Sequence, residues 1–147
     1  MKYYLQKHDK TLYSDNWSTP KDIYEFYKSI GYLDPCPLFA DDLIPTMFYE
    51  KFYSRNLFIN PPYSQIEDWI TFAINHYKNG YNTIVLLVPS RTDTKWFHKL
   101  LKYNPYIVFI KGRLKFGDSN NTAPFPSVLI ILANDLYYNP CLLNKEN

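Results

Sequence analysis

The chain has no long hydrophobic run, few cysteines and little net charge. No stretch reaches the roughly 18 consecutive apolar residues of a transmembrane helix, and the N-terminal MKYYLQKHDK lacks the apolar core of a signal peptide. The two cysteines, Cys36 and Cys141, match no metal-ligand spacing, and the histidines His8, His76 and His98 are isolated. We therefore expect a soluble protein of a reducing compartment without a structural metal.

The composition that is present suits a packed core. Hydrophobic residues make up 46% and aromatic residues 19% of the 147 positions, which is ample for one domain. The 15 tyrosines fit a core, an interface or a stacking surface for bases equally well. A net charge of +2 does not by itself predict nucleic-acid binding, so any basic surface has to come from local clustering. We expect a single domain over residues 1–147, with a polar arm over about 1–17 and an irregular tail over about 134–147.

Three segments have the spacing of amphipathic helices. The first is predicted to start at Thr19 and Pro20, with Asp22 completing a capping box. The second is predicted to open with a capping box of Ser64 and Glu67. Apolar residues on one face define the second and third helices: Ile66, Trp69, Ile70, Ala73, Ile74 and Tyr77, then Trp96, Phe97, Leu100 and Leu101. The aromatic residues in these stripes are predicted to be core residues.

Short apolar runs alternate with these helices and predict strands. The runs are Tyr32–Asp34, Leu57–Ile59, Thr83–Val88, Ile107–Ile110 and Val128–Leu132. The run Thr83–Val88 is continuously apolar, as expected for a parallel strand that is covered on both faces. The alternation predicts an α/β sandwich, in which ligands bind at the carboxyl ends of the strands.

A stiff polar corner, Asn60-Pro61-Pro62-Tyr63, follows the strand Leu57–Ile59. The Asn60 amide oxygen and a proline carbonyl are two acceptors that together could grip one NH₂ group, and Tyr63 adds a flat ring. This combination predicts a pocket for the exocyclic amine of a planar base that has been flipped out of a duplex, and adenine N6 fits it. The alternative is a plain turn after a buried strand.

Seven ordered segments together resemble the phage N6-adenine DNA methyltransferase family, whose NPPY motif belongs to amino-methyltransferases that use S-adenosylmethionine. The segments are NWSTP (16–20), LDPCP (33–37), DDL (41–43), NPPYS (60–64), LLVPSRTDTKWFH (86–98), KGRLKFG (111–117) and APFPSVLII (123–131). The resemblance implies a single minimal methyltransferase domain with a reduced Rossmann-like sheet, mostly parallel, with helices on both faces. The resemblance also implies a cytoplasmic protein, located in the cytoplasm of the host cell if the chain is phage-encoded.

The resemblance also implies residue roles. Asn60 and Pro61, followed by Pro62, would hold and polarise the target amine, while Tyr63 stacks on the base. The implied S-adenosylmethionine site comprises Thr19, Pro20, Asp34, Cys36, Asp41 and Asp42. Asp34 would lie near the methionine moiety and Asp41 or Asp42 near the ribose hydroxyls. The alternative is that these aspartates only cap turns.

DNA is the implied partner. Lys111, Arg113 and Lys115 are predicted to form one basic strand face near Arg91 that contacts phosphates, with a solvated edge strand as the alternative. Phe125 is predicted to close over the flipped base, although a core role fits equally well.

The chain also departs from the family pattern. Asp34 is followed by Pro-Cys-Pro and not by a glycine-rich turn, and only 25 residues separate it from Asn60, where a βαβ unit needs about 30. Part of the usual sheet is therefore expected to be missing, and a homodimer or a partner subunit is expected to complete the DNA-binding cleft. A cytosine-N4 methyltransferase and a noncatalytic DNA-binding or interaction module remain alternative functions.

Overall fold

The computed structural model describes residues 18–36, 55–80, 82–116 and 122–134. The predicted N-terminal arm, the pair Asp41 and Asp42, and the tail beyond residue 134 lie outside the described residues. The elements in chain order are α1 (Lys21–Ser29), β1 (Leu57–Ile59), a short 3₁₀ helix (Tyr63–Gln65), α2 (Ile66–Asn79), β2 (Ile84–Pro89), α3 (Lys95–Leu101), β3 (Tyr106–Phe109) and β4 (Ser127–Leu132).

The four strands form one mixed sheet in the order β1-β2-β4-β3. β1 and β2 are parallel, whereas β4 is antiparallel to both β2 and β3. The prediction of a mostly parallel sheet is therefore wrong, because two of the three pairings are antiparallel. The apolar run of β4 did not reveal its direction, since a buried antiparallel strand is as continuously apolar as a parallel one.

The direction of the strands nevertheless gathers several loops at one edge of the sheet. β1, β2 and β3 all point the same way, because β3 and β2 are each antiparallel to β4. Their carboxyl ends meet where β4 begins, and we call this the carboxyl edge. It is formed by residues 60–63, 90–91, 110–111 and 125–127.

The predicted strand Tyr32–Asp34 is reduced to a single parallel bridge between Leu33 and Leu57. Leu33 N–H donates to the Asn56 carbonyl, and Phe58 N–H donates to the Leu33 carbonyl. Pro35, two residues after Leu33, has no N–H that could donate the next hydrogen bond of the ladder, so pairing stops after one residue.

Hydrophobic side chains pack on both faces of the sheet. On one face, alternate residues of the strands pack against α2 and α3, and this cluster includes the predicted core residues Trp69, Trp96 and Phe97. The other face carries α1, whose Tyr27 ring stacks on Phe58 with the ring centroids 4.8 Å apart. The expectation of an α/β fold with helices on both faces is confirmed by this packing.

Neither predicted capping box caps its helix. The N-cap of α1 is Pro20 and that of α2 is Gln65, and no side-chain hydrogen bond caps either helix. A 3₁₀ turn precedes α2, so the α-helix starts two residues beyond Ser64. The hydroxyl of Thr19 is instead used in a contact with the NPPY corner, described next.

Candidate active site

Asn60 lies at the end of β1 with its side chain turned toward α1. Only 9% of Asn60 is exposed, and its Nδ2 donates to the Thr19 hydroxyl oxygen over 3.1 Å. This hydrogen bond joins positions 41 residues apart and brings the NWSTP and NPPY segments together. Because Nδ2 faces Thr19, the amide oxygen Oδ1 of Asn60 is directed away from Thr19.

The two prolines of the corner are both buried. Pro62 has φ −62° and ψ 131°, and its carbonyl accepts a hydrogen bond from Gln65 N–H over 3.0 Å. That bond begins the 3₁₀ turn of Tyr63–Gln65. The stiff corner predicted from the sequence is thus continued directly by a tight turn into α2.

Tyr63 and Phe125 meet at the carboxyl edge. Their rings contact edge to face, with centroids 5.2 Å apart, and Phe125 also lies 6.1 Å from the Phe116 ring. The Tyr63 hydroxyl is buried without a hydrogen-bond partner among the described residues, and burial raises the pKa of Tyr63, so the phenol stays neutral. The structure therefore brings together the two aromatic residues that were predicted to contact a flipped base.

Asp34 lies beyond the bridge of Leu33, on a chain segment that runs toward the carboxyl edge. Its Oδ1 accepts a hydrogen bond from Cys36 N–H over 2.8 Å. Burial raises the pKa of Asp34 to about 6, and the hydrogen bond from Cys36 opposes that rise. Within residues 18–36 and the other described ranges, no cation forms an ion pair with Asp34.

Cys36 is half-buried beside this carboxyl group. Burial, and secondly the charge of Asp34, raise the pKa of the Cys36 thiol well above its usual value. A thiol in this state is protonated and a poor nucleophile, so Cys36 can line a site but is not suited to covalent chemistry there.

The predicted DNA-contacting cations are all exposed. Arg91 directly follows Ser90, whose N–H donates to the Pro126 carbonyl over 2.9 Å and so ties the end of β2 to the start of β4. Lys111, Arg113 and Lys115 follow β3, but they do not form a strand face as predicted, because β3 ends at Phe109. Within this segment Gly112 has a φ of +77°, which is outside the extended region and interrupts any regular alternation of the three cations.

Ser127 was missed by the sequence reasoning. It pairs with Pro89 at the carboxyl edge, is 1% exposed, and its hydroxyl has no hydrogen-bond partner in the described part of the chain. The available signal was a hydroxyl residue at the head of the apolar run Val128–Leu132, which places a polar atom where a strand enters the core.

Metal-binding clusters and membrane-spanning helices are both absent from the described ranges. No group of three or more His, Cys, Asp or Glu side chains there could hold a metal ion. No helix among the described residues combines the length and apolar character needed to cross a membrane.

The sequence matches a known family over most of its length. The family profile described as DNA N-6-adenine-methyltransferase (Dam) matches residues 6–134. The chain belongs to the Dam family. The chain is 26% identical over 113 residues to a DNA N-6-adenine-methyltransferase of Escherichia phage T1, and the alignment covers 68% of this chain. It covers 46% of the phage T1 protein, so the chain spans less than half the length of that relative. No solved structure matches.

The Dam match confirms the family predicted from the seven segments, all of which lie within residues 6–134. It also includes Asp41 and Asp42, which lie outside the described residues. The individual roles assigned to Asn60, Tyr63, Asp34 and the basic residues remain predictions.

Proposed function

We propose that this Dam-family chain transfers a methyl group from S-adenosylmethionine to N6 of adenine in DNA. The observation that supports this best is the hydrogen bond between Asn60 and Thr19, which fixes the amide of the NPPY corner at the carboxyl edge. The aromatic pair of Tyr63 and Phe125 lies at the same edge. An oriented amide beside aromatic rings is what recognition of an amine on a flipped base requires.

The amine would be held by two acceptors. The Asn60 Oδ1, directed away from Thr19, accepts one N6 hydrogen, and the Pro61 carbonyl accepts the other, since the Pro62 carbonyl is used in the 3₁₀ turn. These bonds increase the electron density on N6 and align its lone pair for attack. When bound, S-adenosylmethionine supplies an electrophilic methyl group on a sulfonium sulfur, so the chain contributes positioning and electrostatics.

The donor site would lie between α1 and the segment after Leu33. Asp34 carries a half-buried carboxyl group with a raised pKa, and no described cation pairs with it. A cationic ligand would relieve the cost of that buried charge, which suits the ammonium and sulfonium groups of the donor. Thr19, Pro20 and Cys36 would line the same site, with Asp41 or Asp42 completing it.

We interpret this mixed sheet as a reduced form of a methyltransferase sheet. Three of its strands, β1, β2 and β3, point the same way, and only β4 is reversed and inserted between β2 and β3. In this arrangement, Arg91, Lys111, Arg113 and Lys115 would contact phosphates around the flipped base, and Tyr63 and Phe125 would contact the base itself.

The function is tested by incubating the purified protein with unmethylated DNA and a methyl-labelled donor, followed by nucleoside analysis. The expected product is N6-methyladenine. Labelled N4-methylcytosine would instead indicate the cytosine alternative. An absence of label, together with no donor binding by calorimetry with or without DNA, would indicate a noncatalytic module.

A further inference from the structure

Phe109, the last residue of β3, is exposed where the strand reaches the carboxyl edge. It is 75% exposed, more than any other large apolar side chain among the described residues; Phe26 on α1 follows at 57%. Phe109 pairs with Val128 on β4. Val128 directly follows Ser127 and is three positions from Phe125 in the sequence. An exposed aromatic ring at the carboxyl edge provides a surface on which a base can stack.

The segment after Phe109 has exposed cationic side chains and is anchored to the core by apolar ones. Lys111, Arg113 and Lys115 are exposed, while Leu114 is half-buried and Phe116 is buried in the core of the α1 face. The segment is also fixed by a hydrogen bond of 2.8 Å from Ala123 N–H to the Leu114 carbonyl.

None of these three cations, nor Arg91, forms an ion pair within the described ranges. All four cations are exposed, as a contact with phosphates requires. An exposed aromatic ring followed by exposed cations on an anchored segment is the combination that binds the bases and backbone of an unstacked nucleic-acid strand.

The sheet sets the separation between Phe109 and the NPPY corner. Three strand spacings separate β3 from β1, and at about 4.8 Å each they amount to about 14 Å. The rise along one stacked strand of duplex DNA is about 3.4 Å per nucleotide, so this distance corresponds to at most about four base steps, and an unstacked strand spans it in fewer.

We propose that Phe109 is a stacking residue for a DNA base within about four nucleotides of the methylated adenine, with Lys111, Arg113 and Lys115 holding the adjoining phosphates. This inference rests on the proposed function in taking DNA as the ligand. It adds a contact outside the pocket for the target base, at the other end of the strand order from Asn60.

The test is a fluorescence-anisotropy titration of labelled single-stranded and duplex oligonucleotides without donor, repeated over a range of salt concentrations. Phe109→Ala and Phe109→Leu should each lower affinity by roughly 5-fold or more. The slope of log affinity against log salt should stay unchanged, because stacking releases no counterions. Phe109→Tyr should retain wild-type affinity, and Phe26→Ala is the matched control for loss of an exposed phenyl ring elsewhere.

The proposal would be overturned if Phe109→Ala and Phe109→Leu bound the oligonucleotides as tightly as Phe26→Ala does. It would also be overturned if the wild-type protein bound neither single-stranded nor duplex DNA. Light scattering in which Phe109→Ala dissociates a dimer that Phe26→Ala retains would overturn it too, because the ring would then serve self-association. The two proposals fail separately. If the Phe109 variants bind DNA more weakly than the wild type but the wild type transfers no methyl group, only the proposed function is overturned. If the wild type is active and the Phe109 variants bind DNA as tightly as it does, only the role of Phe109 is overturned.

Discussion

At the scale of single residues, Asn60 should separate positioning from folding. Asn60→Ala removes one acceptor for the target amine, and a preorganised hydrogen-bonding group of this kind contributes about 3 kcal/mol to the transition state. We expect methyl transfer to fall by roughly 100-fold or more while the fold and donor binding persist. Initial rates with saturating donor measure the effect, and Asn79→Ala, at the exposed end of α2, is the control. Wild-type turnover in Asn60→Ala would reduce the NPPY corner to a structural turn.

Ser127 offers a stability test that distinguishes an unpartnered hydroxyl from a satisfied one. A buried polar group without a partner costs about 1–3 kcal/mol, so Ser127→Ala should raise the free energy of unfolding by roughly 1 kcal/mol. The control is Ser29→Ala, since the Ser29 hydroxyl donates to the Phe26 carbonyl over 2.7 Å and its removal should not stabilise. Urea denaturation measures both variants, and a Ser127→Ala protein less stable than Ser29→Ala would contradict this account.

Asp34 should give the protein a pH dependence with a definite sign. Its pKa is raised from 3.8 to about 6 in the folded chain, mainly by burial, so folding favours the protonated carboxyl group. The stability that Asp34 contributes is therefore fully present below about pH 3.8 and is lost as the pH rises through about 6. Relative to Asp34→Asn, the wild type should lose free energy of unfolding between pH 4 and pH 7 in denaturant titrations. A difference between the two proteins that is constant or grows in favour of the wild type with pH would exclude this assignment.

Donor binding should have the opposite pH dependence, because it needs the ionised carboxylate. Calorimetric affinity for S-adenosylmethionine is expected to rise with pH through about 6 in the wild type and to change less in Asp34→Asn. Opposite trends in stability and binding would tie both effects to this one group.

At the scale of elements, the sequence predicted those parts whose signal is local. The apolar stripe of α2 and the continuous run of β2 are both present close to their expected bounds, because burial of one face leaves a helical period and burial of both faces leaves an uninterrupted apolar run. The position of β4 between β2 and β3 was not predictable in this way, since strand order depends on long-range pairing. The capping box predicted for α1 does not form, because the Thr19 hydroxyl instead accepts a hydrogen bond from Asn60, which is distant in sequence.

In the candidate site, too, some features follow from local sequence signals and others depend on long-range pairing of the strands. The residues of the NPPY corner and their place at a carboxyl edge follow from motif order and strand prediction. The contact between Tyr63 and Phe125, the buried hydroxyl of Ser127 and the exposed ring of Phe109 depend on how β4 and β3 pair. No local pattern carries that information.

The segment after β3 should act on DNA through charge alone. Replacing Lys111, Arg113 and Lys115 with neutral residues should weaken binding to all DNA sequences and lower the salt slope by about one unit for each phosphate that is no longer neutralised. Donor affinity should not change, which calorimetry can verify. Unchanged DNA affinity and salt dependence in the triple variant would assign this segment to solvent.

At the scale of the whole molecule, the described sheet offers a narrow surface to DNA. Four strands at a spacing of about 4.8 Å place its outermost strand axes about 14 Å apart, or about four base steps of one strand. The connection between Asp34 and Asn60 is also short for a βαβ unit. Both features favour a second subunit that extends the cleft.

We therefore expect the active form to be a homodimer, because closed two-fold symmetry is the commonest way for identical subunits to share a binding surface. Multi-angle light scattering should give about twice the 17.6 kDa mass of one chain, either alone or on a duplex that contains adenine. Mixing the Asn60→Ala chain with wild type gives a second measurement: if each subunit carries its own site, activity should fall in proportion to the inactive fraction. A protein that stays a single 17.6 kDa chain on DNA at full activity would contradict the homodimer, because one chain would then suffice.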